Sequence, residues 1–355
     1  MLNEPADNER VLVVKPSSLG DVVHTLPAVS ALKRTYPNWD IQWLVNDEWA
    51  PLLDGNPELE DVIHFPRHSF QGIGGLMKAR SWAKQNLALR HFDRVLDFQG
   101  LLRSALLAKA SGAESVIGFS RAREMAPFWY TEKIDLPDWD SQHAVTRYLA
   151  LSQAVGADIS EANDIGFLLP DGEPVDGFPA DLPVLALHPF SRGTGKSLTE
   201  QEVLEFCVAA NDAGDVKRVV LLGSEPWAGQ PLPTNVLDQM GKTSLAQLIW
   251  ILRQADAVVS VDSGPMHLAA AITDRLISIH TWTDPAKVGP WRKEAWFWRD
   301  GQLLKVGDTE PGQFPEQRKR KQLYEHLRQR TKRLLPEGTM ASIAAALVAG
   351  KLFDG

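Results

Sequence analysis

The sequence is poor in cysteine: Cys207 is the only one in 355 residues. That excludes an intrachain disulfide and any cysteine-based zinc site. Long apolar runs are missing too. The longest, Ala341–Gly350, has ten residues, against the roughly 18 that a membrane-spanning helix needs. The opening MLNEPADNER lacks the basic and apolar regions of a signal peptide. No G-x-G-x-x-G follows a strand-like run, so a nicotinamide-dependent dehydrogenase has little support. Excess positive charge is also absent. Lys+Arg number 37 and Asp+Glu 45, for a formal charge of −8, so the chain is not a nucleic-acid polycation and no nucleic-acid partner is expected. What is there is ordinary: 44% apolar and 23% charged residues, ample for a core. The length suggests two domains. The expectation is a soluble, cytoplasmic protein.

Short apolar runs alternate with helix-like stretches. Val11–Val14, Ile41–Val45, Val62–Phe65, Arg94–Leu96 and Ser115–Ile117 read as buried strands. Val22–Thr35, Leu76–Leu89, Leu102–Ser111 and His143–Val155 read as helices between or after them. A second series has strands Val184–Leu187, Val219–Leu222, Ala257–Val261 and Leu276–Ile279, with helices near Glu200–Asn211, Leu245–Gln254 and Pro265–Ile272. Between the series, Pro170–Pro183 holds four prolines and reads as a linker. This alternation predicts an α/β fold of two doubly wound, Rossmann-like domains facing across a cleft, with ligands at the carboxyl ends of the strands. The divisions are 1–170, a linker 171–183, 184–303, and a tail 304–355.

Two motifs are decoys. Gly193–Ser197 ends like a Walker A loop, but position 190, where that loop needs glycine, is Phe190. Asp138-Trp139-Asp140 matches the D-x-D of metal-dependent sugar transferases. Its place before the helical run His143–Val155 favours a loop and helix N-cap instead, so no metal site is expected.

Three constellations can carry chemistry. Lys15–Asp21 lies between the first strand and first helix; Gly20 permits close backbone approach. Asp21 reads equally as a general base or as a carboxylate complementing the helix N-terminus. Val261–His267 has the same placement in the second half. There Ser263 is a candidate N-cap, Gly264 keeps the backbone open, Pro265 suits the first turn, and the amides with His267 form an anion site. Gly223-Ser224-Glu225 follows a strand, where an acid suits ribose hydroxyls. Arg67, His68, Arg103, Arg121, Arg123, His143 and Arg147 fall in first-half loops and suggest an anionic ligand.

The run VLVVKPSSLGDVVHTLPAV (Val11–Val29) resembles the opening of the bacterial heptosyltransferases of glycosyltransferase family nine, and more the heptosyltransferase I branch than the II branch. The likeness continues through Asp97–Ser104, Gly118–Glu124, His143–Arg147, His188–Lys196, Gly223–Glu225, Val261–Ala270 and Thr283-Asp284-Pro285. The resemblance implies a GT-B fold and inverting, metal-independent transfer of a heptose from an ADP-sugar, with no cofactor. By that likeness Asp21 is the base and Lys196 assists catalysis. The donor is held by Ser17, Ser18, Gly20, Ser191, Lys196, Glu225, Asp262, Ser263, Gly264 and His267. The acceptor, an acidic Kdo–lipid A-like saccharide of lipopolysaccharide, is met by Arg67, Gln99, Arg103, Ser104, Arg121, Arg123, His143 and Arg147. The sequence departs from the family's usual pattern at Ser197-Leu198, at Ser263 and at Thr281-Trp282, all around the donor loops. A nucleotide-sugar epimerase and a non-catalytic nucleotide-sugar-binding homologue are the alternatives.

The tail lacks the resemblance. From Lys305 to Leu335 it carries nine Lys/Arg against four Asp/Glu, and Leu323, Tyr324, Leu327, Thr331 and Leu334 form a helical stripe. Packing on the acidic body, or contact with the cytoplasmic face of the anionic inner membrane, are its two readings. Four of the twelve tryptophans fall in Trp282–Trp298; they suit either stacking on a sugar or nucleotide, or a core role.

Overall fold

The structure is a computed structural model, and it describes residues 4–70, 74–160, 166–179, 183–212, 218–310, 312–317 and 335–353. The chain divides into two compact units, Met1–Pro170 and Asp171–Gly355.

In the first unit six parallel strands, β1 (Arg10–Val14), β2 (Asp40–Asn46), β3 (Asp61–Phe65), β4 (Arg94–Asp97), β5 (Ser115–Phe119) and β6 (Glu132–Ile134), form one sheet. Their order is β3-β2-β1-β4-β5-β6. Helices α1 (Leu19–Thr35), α2 (Gly75–Asn86), α3 (Leu102–Ala110) and α4 (Ala144–Ala154) cover it. Covering both faces of a sheet demands unbroken apolar runs from its central strands. Accordingly Val11, Leu12, Val13 and Val14 of β1 are all fully buried. Helix α1 packs on α4 and is buried on nearly every side from Leu19 to Leu32. At its start Ser18 N–H donates to Asp21 Oδ2 at 3.2 Å, so Asp21 does complement its own helix.

The second unit repeats the plan. Strands β7 (Val184–His188), β8 (Arg218–Leu221), β9 (Val236–Asp238), β10 (Ala257–Val261), β11 (Leu276–Ile279), β12 (Trp296–Arg299) and β13 (Gln302–Lys305) lie in the order β13-β12-β11-β10-β7-β8-β9. Only β13 is antiparallel. The helices are α5 (Glu200–Asp212), α6 (Leu245–Gln254), α7 (Gly264–Ile272), the short α8 (Pro285–Val288) and α9 (Thr339–Val348). Leaving aside β13, the two sheets have the same topology. Strand order reverses between β1 and β4 in one and between β7 and β10 in the other, and ligands of such sheets bind beyond those strands' carboxyl ends.

Four strands go beyond the sequence reading. Strands β6 and β9 have three residues each and are only partly buried, so neither offers an apolar run. In β12 the tryptophans expected either to stack on a ligand or to serve the core are core: Phe297 and Trp298 are buried and Trp296 packs beside them. Polar residues hide β13, where Leu303 and Leu304 stand between Gln302 and Lys305. Part of the expected linker lies on α6, with Glu173 N–H donating to Ala246 O and Phe178 edge-on to Trp250. The end of the tail is also part of the second unit. Leu335, Met340, Ile343, Ala344 and Leu347 join its core, and α9 packs on α5. The basic stripe Leu323–Leu334 lies outside the described residues. Among the described residues no helix is long and apolar enough to cross a membrane.

Candidate active site

At the carboxyl ends of β1 and β4 the first unit holds a cavity of about 350 Å³. The loop after β1 supplies Lys15, the first turn of α1 supplies Asp21, and the loop after β4 supplies Phe98, Gln99 and Gly100. Gly100 has φ +67°, and a Cβ there would stand 3.2 Å from that of Ala122. A side chain would thus strain the turn and crowd the cavity wall. Gln99 ties the two loops together, its Oε1 accepting from Ser17 N–H at 3.1 Å.

Lys15 is buried, and its Nζ donates to Phe98 O at 3.0 Å and to Tyr148 Oη at 2.7 Å. Tyr148, from α4, in turn donates to Asp21 Oδ1 at 3.0 Å. The other carboxylate oxygen accepts from Ser18 Oγ at 2.8 Å as well as from its N–H. Partial desolvation pushes the Asp21 carboxyl up, but the Lys15 charge and the Ser18 and Tyr148 hydrogen bonds outweigh it and hold the pKa below the usual aspartate value. The side chain remains 41% exposed. Asp21 is therefore an ionised, oriented and accessible carboxylate. Burial lowers the Lys15 pKa, against the pull of Asp21 and Asp97.

Arg121, Arg123 and Arg147 complete a cationic wall: with Lys15 they set four cations around one carboxylate. Arg147 lies over the Trp139 ring at 4.8 Å. Arg121 meets Asp140 at 3.6 Å in an exposed pair. Among the described residues neither Arg123 nor Arg147 is in an ion pair. Of the acceptor residues expected from sequence, the cavity gathers Gln99, Arg121, Arg123 and Arg147 and leaves out four. Arg67 and Arg103 are exposed elsewhere on the unit. Ser104 is buried and donates to Asp97 Oδ2 at 2.8 Å, within the network that satisfies that carboxylate at the end of β4. His143 is buried, and its Nδ1 accepts from Val145 N–H at 3.2 Å. The N-cap expected in the Asp138–Ser141 loop is thus His143. Asp138-Trp139-Asp140 is a loop, as expected, and it lends Trp139 to the cavity.

The sequence alone assigns no role to Lys15, although it opens the Lys15–Asp21 constellation, nor to Tyr148. A lysine at the carboxyl end of a buried strand was a usable signal. Tyr148 gave none, because only the packing of α4 on α1 brings it to Asp21.

In the second unit the loops after β7 and β10 meet in the same way. Lys196 Nζ lies 2.7 Å from Asp262 Oδ2, with the two side chains 20% and 5% exposed. The pair holds Asp262 ionised. Desolvation raises its pKa, but attraction to His280 in its protonated form, to Lys196, and to His267, with the Lys196 hydrogen bond, outweighs it and holds the pKa below the usual aspartate value. Trp282 lies below Lys196 at 5.6 Å and donates from Nε1 to Thr194 O at 3.0 Å, which fixes the loop. Ser197 Oγ accepts from Ser191 N–H at 2.9 Å and donates to Ser191 O at 3.0 Å, while Ser191 Oγ accepts from Gly193 N–H at 3.3 Å. The residue that departs from the family pattern thus closes the loop on itself.

Helix α7 starts at Gly264, and Ser263 has the extended backbone of an N-cap without a side-chain cap bond. The expected hydroxyl cap is corrected here: Ser263 Oγ lies 3.3 Å from Nδ1 of the buried His188. Burial pushes His188 and His280 down to about 4, so both are neutral near pH 7. His267 stands one turn into α7, partly exposed, and Glu225 is exposed in the turn after β8.

A family model described as glycosyltransferase family 9 (heptosyltransferase) matches residues 80–305. The chain belongs to glycosyltransferase family 9. It is a glycosyltransferase. It is 31% identical over 297 residues to lipopolysaccharide heptosyltransferase 1 of Pseudomonas aeruginosa, covering 79% of this chain and 81% of the other. To the Escherichia coli K12 protein of the same name it is 30% identical over 310 residues, covering 80% and 91%. Among solved structures, a glycosyltransferase family 9 protein from Veillonella parvula superposes with TM-score 0.73 over 96% of this chain and 98% of that one, at 18% identity. The E. coli heptosyltransferase WaaC with ADP gives TM-score 0.64 at 26% identity, over 89% and 99%. The fold class is the GT-B that the resemblance implies.

Proposed function

We propose that this glycosyltransferase moves a heptose, by an inverting and metal-independent reaction, from an ADP-sugar to an acidic saccharide of lipopolysaccharide. The observation that carries the reading is the Asp21 carboxylate, ionised and oriented inside a cationic cavity. The donor is supported by two of the relatives, described as lipopolysaccharide heptosyltransferase 1 and as WaaC with ADP. The acceptor is an anion, because Arg121, Arg123 and Arg147 outnumber the one acid and arginine grips carboxylates in pairs of hydrogen bonds.

In this reading the acceptor hydroxyl lies against Asp21, which takes its proton as the oxygen attacks the anomeric carbon. Attack opposite the leaving diphosphate inverts that centre. The diphosphate departs from the second unit, where the amino-terminal amides of α7 and the Lys196 ammonium answer its growing charge. Lys196 must then exchange part of its hold on Asp262 for the phosphate. Asp262 keeps the lysine aimed before the donor arrives.

Mass spectrometry of the acceptor after incubation with ADP-heptose tests this. A gain of one heptosyl residue, undiminished by EDTA and absent with UDP-, GDP- and dTDP-sugars, is expected. Transfer from another nucleotide-sugar only, or loss to EDTA restored by magnesium or manganese, would overturn the donor or the metal-independent part respectively.

A further inference from the structure

The Asp138-Trp139-Asp140 turn, a decoy in the sequence, borders the cavity of the first unit, and its indole is part of the wall. The turn closes on a single carbonyl. Asp138 O accepts from Ser141 N–H at 2.9 Å, from Ser141 Oγ at 2.8 Å and from Gln142 N–H at 3.2 Å. Asp138 has φ +56°, a left-handed conformation that aspartate tolerates better than most side chains. Trp139, next in the chain, is half-buried. Phe119, buried at the end of β5, meets its ring at 4.8 Å between centroids and 66° between planes. Turn and strand end together fix where the indole stands.

The indole carries the Arg147 guanidinium, 4.8 Å from the ring. Among the described residues the Arg147 side chain is in no hydrogen bond or ion pair, and its Nε is buried without a partner. A buried donor left unmade destabilises the fold until a ligand completes it. Lys15 also rests on a ring, its Nζ 4.6 Å from the Tyr148 centroid, but it makes hydrogen bonds to Phe98 O and Tyr148 Oη. An aromatic face attracts a cation without cancelling its charge and without occupying its N–H groups. A carboxylate in the same place would do both, and an incoming anion would have to displace it. Arg121 shows the contrast. Its partner is Asp140 of the same turn at 3.6 Å, and with side chains 53% and 90% exposed that pair contributes little. The turn's hold on the cavity is therefore through Trp139.

We propose that Trp139 is the positioning residue of Arg147: it holds the guanidinium in the cavity with its charge uncancelled and its N–H groups kept for a carboxylate of the acceptor. The indole touches the arginine rather than the reacting atoms. What it sets is the preference for an acidic over a neutral saccharide. The inference rests on the acceptor reading above, but saccharide binding is measured without donor and without transfer.

The test is calorimetric titration of the full chain, without donor, with a delipidated acidic acceptor saccharide and with the same saccharide after its carboxylates are reduced to alcohols. Wild type is expected to bind the acidic form at least about tenfold more tightly. Trp139→Leu is expected to lose about tenfold in affinity for the acidic form and to stay within about twofold for the reduced one, as Arg147→Ala does. Adding Trp139→Leu to Arg147→Ala should weaken the acidic form no further, because the two residues act as one. Trp139→Phe keeps an aromatic face of weaker attraction and should lose about threefold for the acidic form; it carries the test if Trp139→Leu does not fold. Four results would each overturn the proposal: a wild type without preference for the acidic form, a Trp139 variant with the wild-type preference, a loss equal for both saccharides, or a further loss in the double variant. A wild type that discriminates as expected yet transfers no heptose from ADP-heptose would leave the role of Trp139 intact and remove the proposed transfer.

Discussion

Tyr148 Oη stands between Lys15 and Asp21, accepting from Lys15 Nζ at 2.7 Å and donating to Asp21 Oδ1 at 3.0 Å, while the two charges lie 3.8 Å apart. Strand β1, the start of α1 and α4 thus meet at one carboxylate. The tyrosine positions Asp21 and favours its ionised form.

Tyr148→Phe keeps the packing and removes the hydroxyl. Losing that hydrogen bond weakens stabilisation of the carboxylate, so the Asp21 pKa rises and the acid limb of the kcat/KM profile moves to higher pH. Turnover at pH 7 should fall about threefold to tenfold, in line with roughly 1 kcal/mol for one such bond. Lys15→Met should move the limb further in the same direction, since the lysine charge contributes more than the tyrosine bond. An unmoved limb in both variants would show that neither group tunes Asp21.

Arg147→Ala should raise the acceptor KM about tenfold and leave ADP affinity unchanged, because Arg147 lines the first-unit cavity without an ion-pair partner. Arg103 lies outside that cavity, so Arg103→Ala should leave KM for a delipidated, soluble acceptor as it is. Equal effects of the two substitutions would mean that the cavity is not where the acceptor binds.

The contrast between these two arginines marks what was legible in the sequence. Alternating apolar runs disclosed two doubly wound units, since a buried parallel strand must be apolar throughout. The placement of Asp21, Lys196 and Asp262 beyond strand ends was legible because a loop after a strand and before a helix has one place to go in such a fold; the roles proposed for them come from the family resemblance. Arg103 and Arg147 look alike in sequence, both basic and both on helices. What separates them is which side of α3 or α4 faces the cavity, and that depends on packing between distant segments. The same holds for Tyr148, and for Ser263, whose hydroxyl goes to His188 from another strand rather than to its own helix.

Lys196→Ala should weaken ADP binding at least about tenfold and also lower the unfolding temperature, since it strands the nearly buried Asp262. Breaking one side of such a pair costs on the order of 3 kcal/mol. Adding Asp262→Asn should restore much of the lost stability but none of the ADP affinity. Calorimetric titration of ADP and thermal unfolding of both variants separate the structural role of the lysine from its role toward phosphate. Unchanged ADP affinity in Lys196→Ala would remove the lysine from the donor site.

Acid should destabilise the second unit through its buried imidazoles. His188 and His280 have pKa values lowered from 6.5 to about 4 in the folded chain. Between those values the unfolded chain binds more protons, so stability rises with pH across this window and is lost as pH falls from about 6.5 toward 4. At about 1.4 kcal/mol per pKa unit, each imidazole contributes on the order of 3 kcal/mol. Replacing His280, which lies between the Ser278 and Thr283 hydroxyls, by Gln should flatten the fall in unfolding temperature between pH 6.5 and 4. An unchanged slope would assign the acid sensitivity to other groups.

The most direct test of the account is the single-turnover rate of Asp21→Asn with ADP-heptose and a verified lipopolysaccharide acceptor. Asparagine keeps the shape of the side chain and its place at the start of α1 but cannot accept the hydroxyl proton. The account predicts a rate lower by about 10²–10⁴-fold, with ADP affinity within about twofold of wild type, because in the proposed reading the diphosphate is met by Lys196 and the start of α7 rather than by Asp21. A variant that keeps more than about a tenth of the wild-type rate would contradict the assignment of Asp21 as the base.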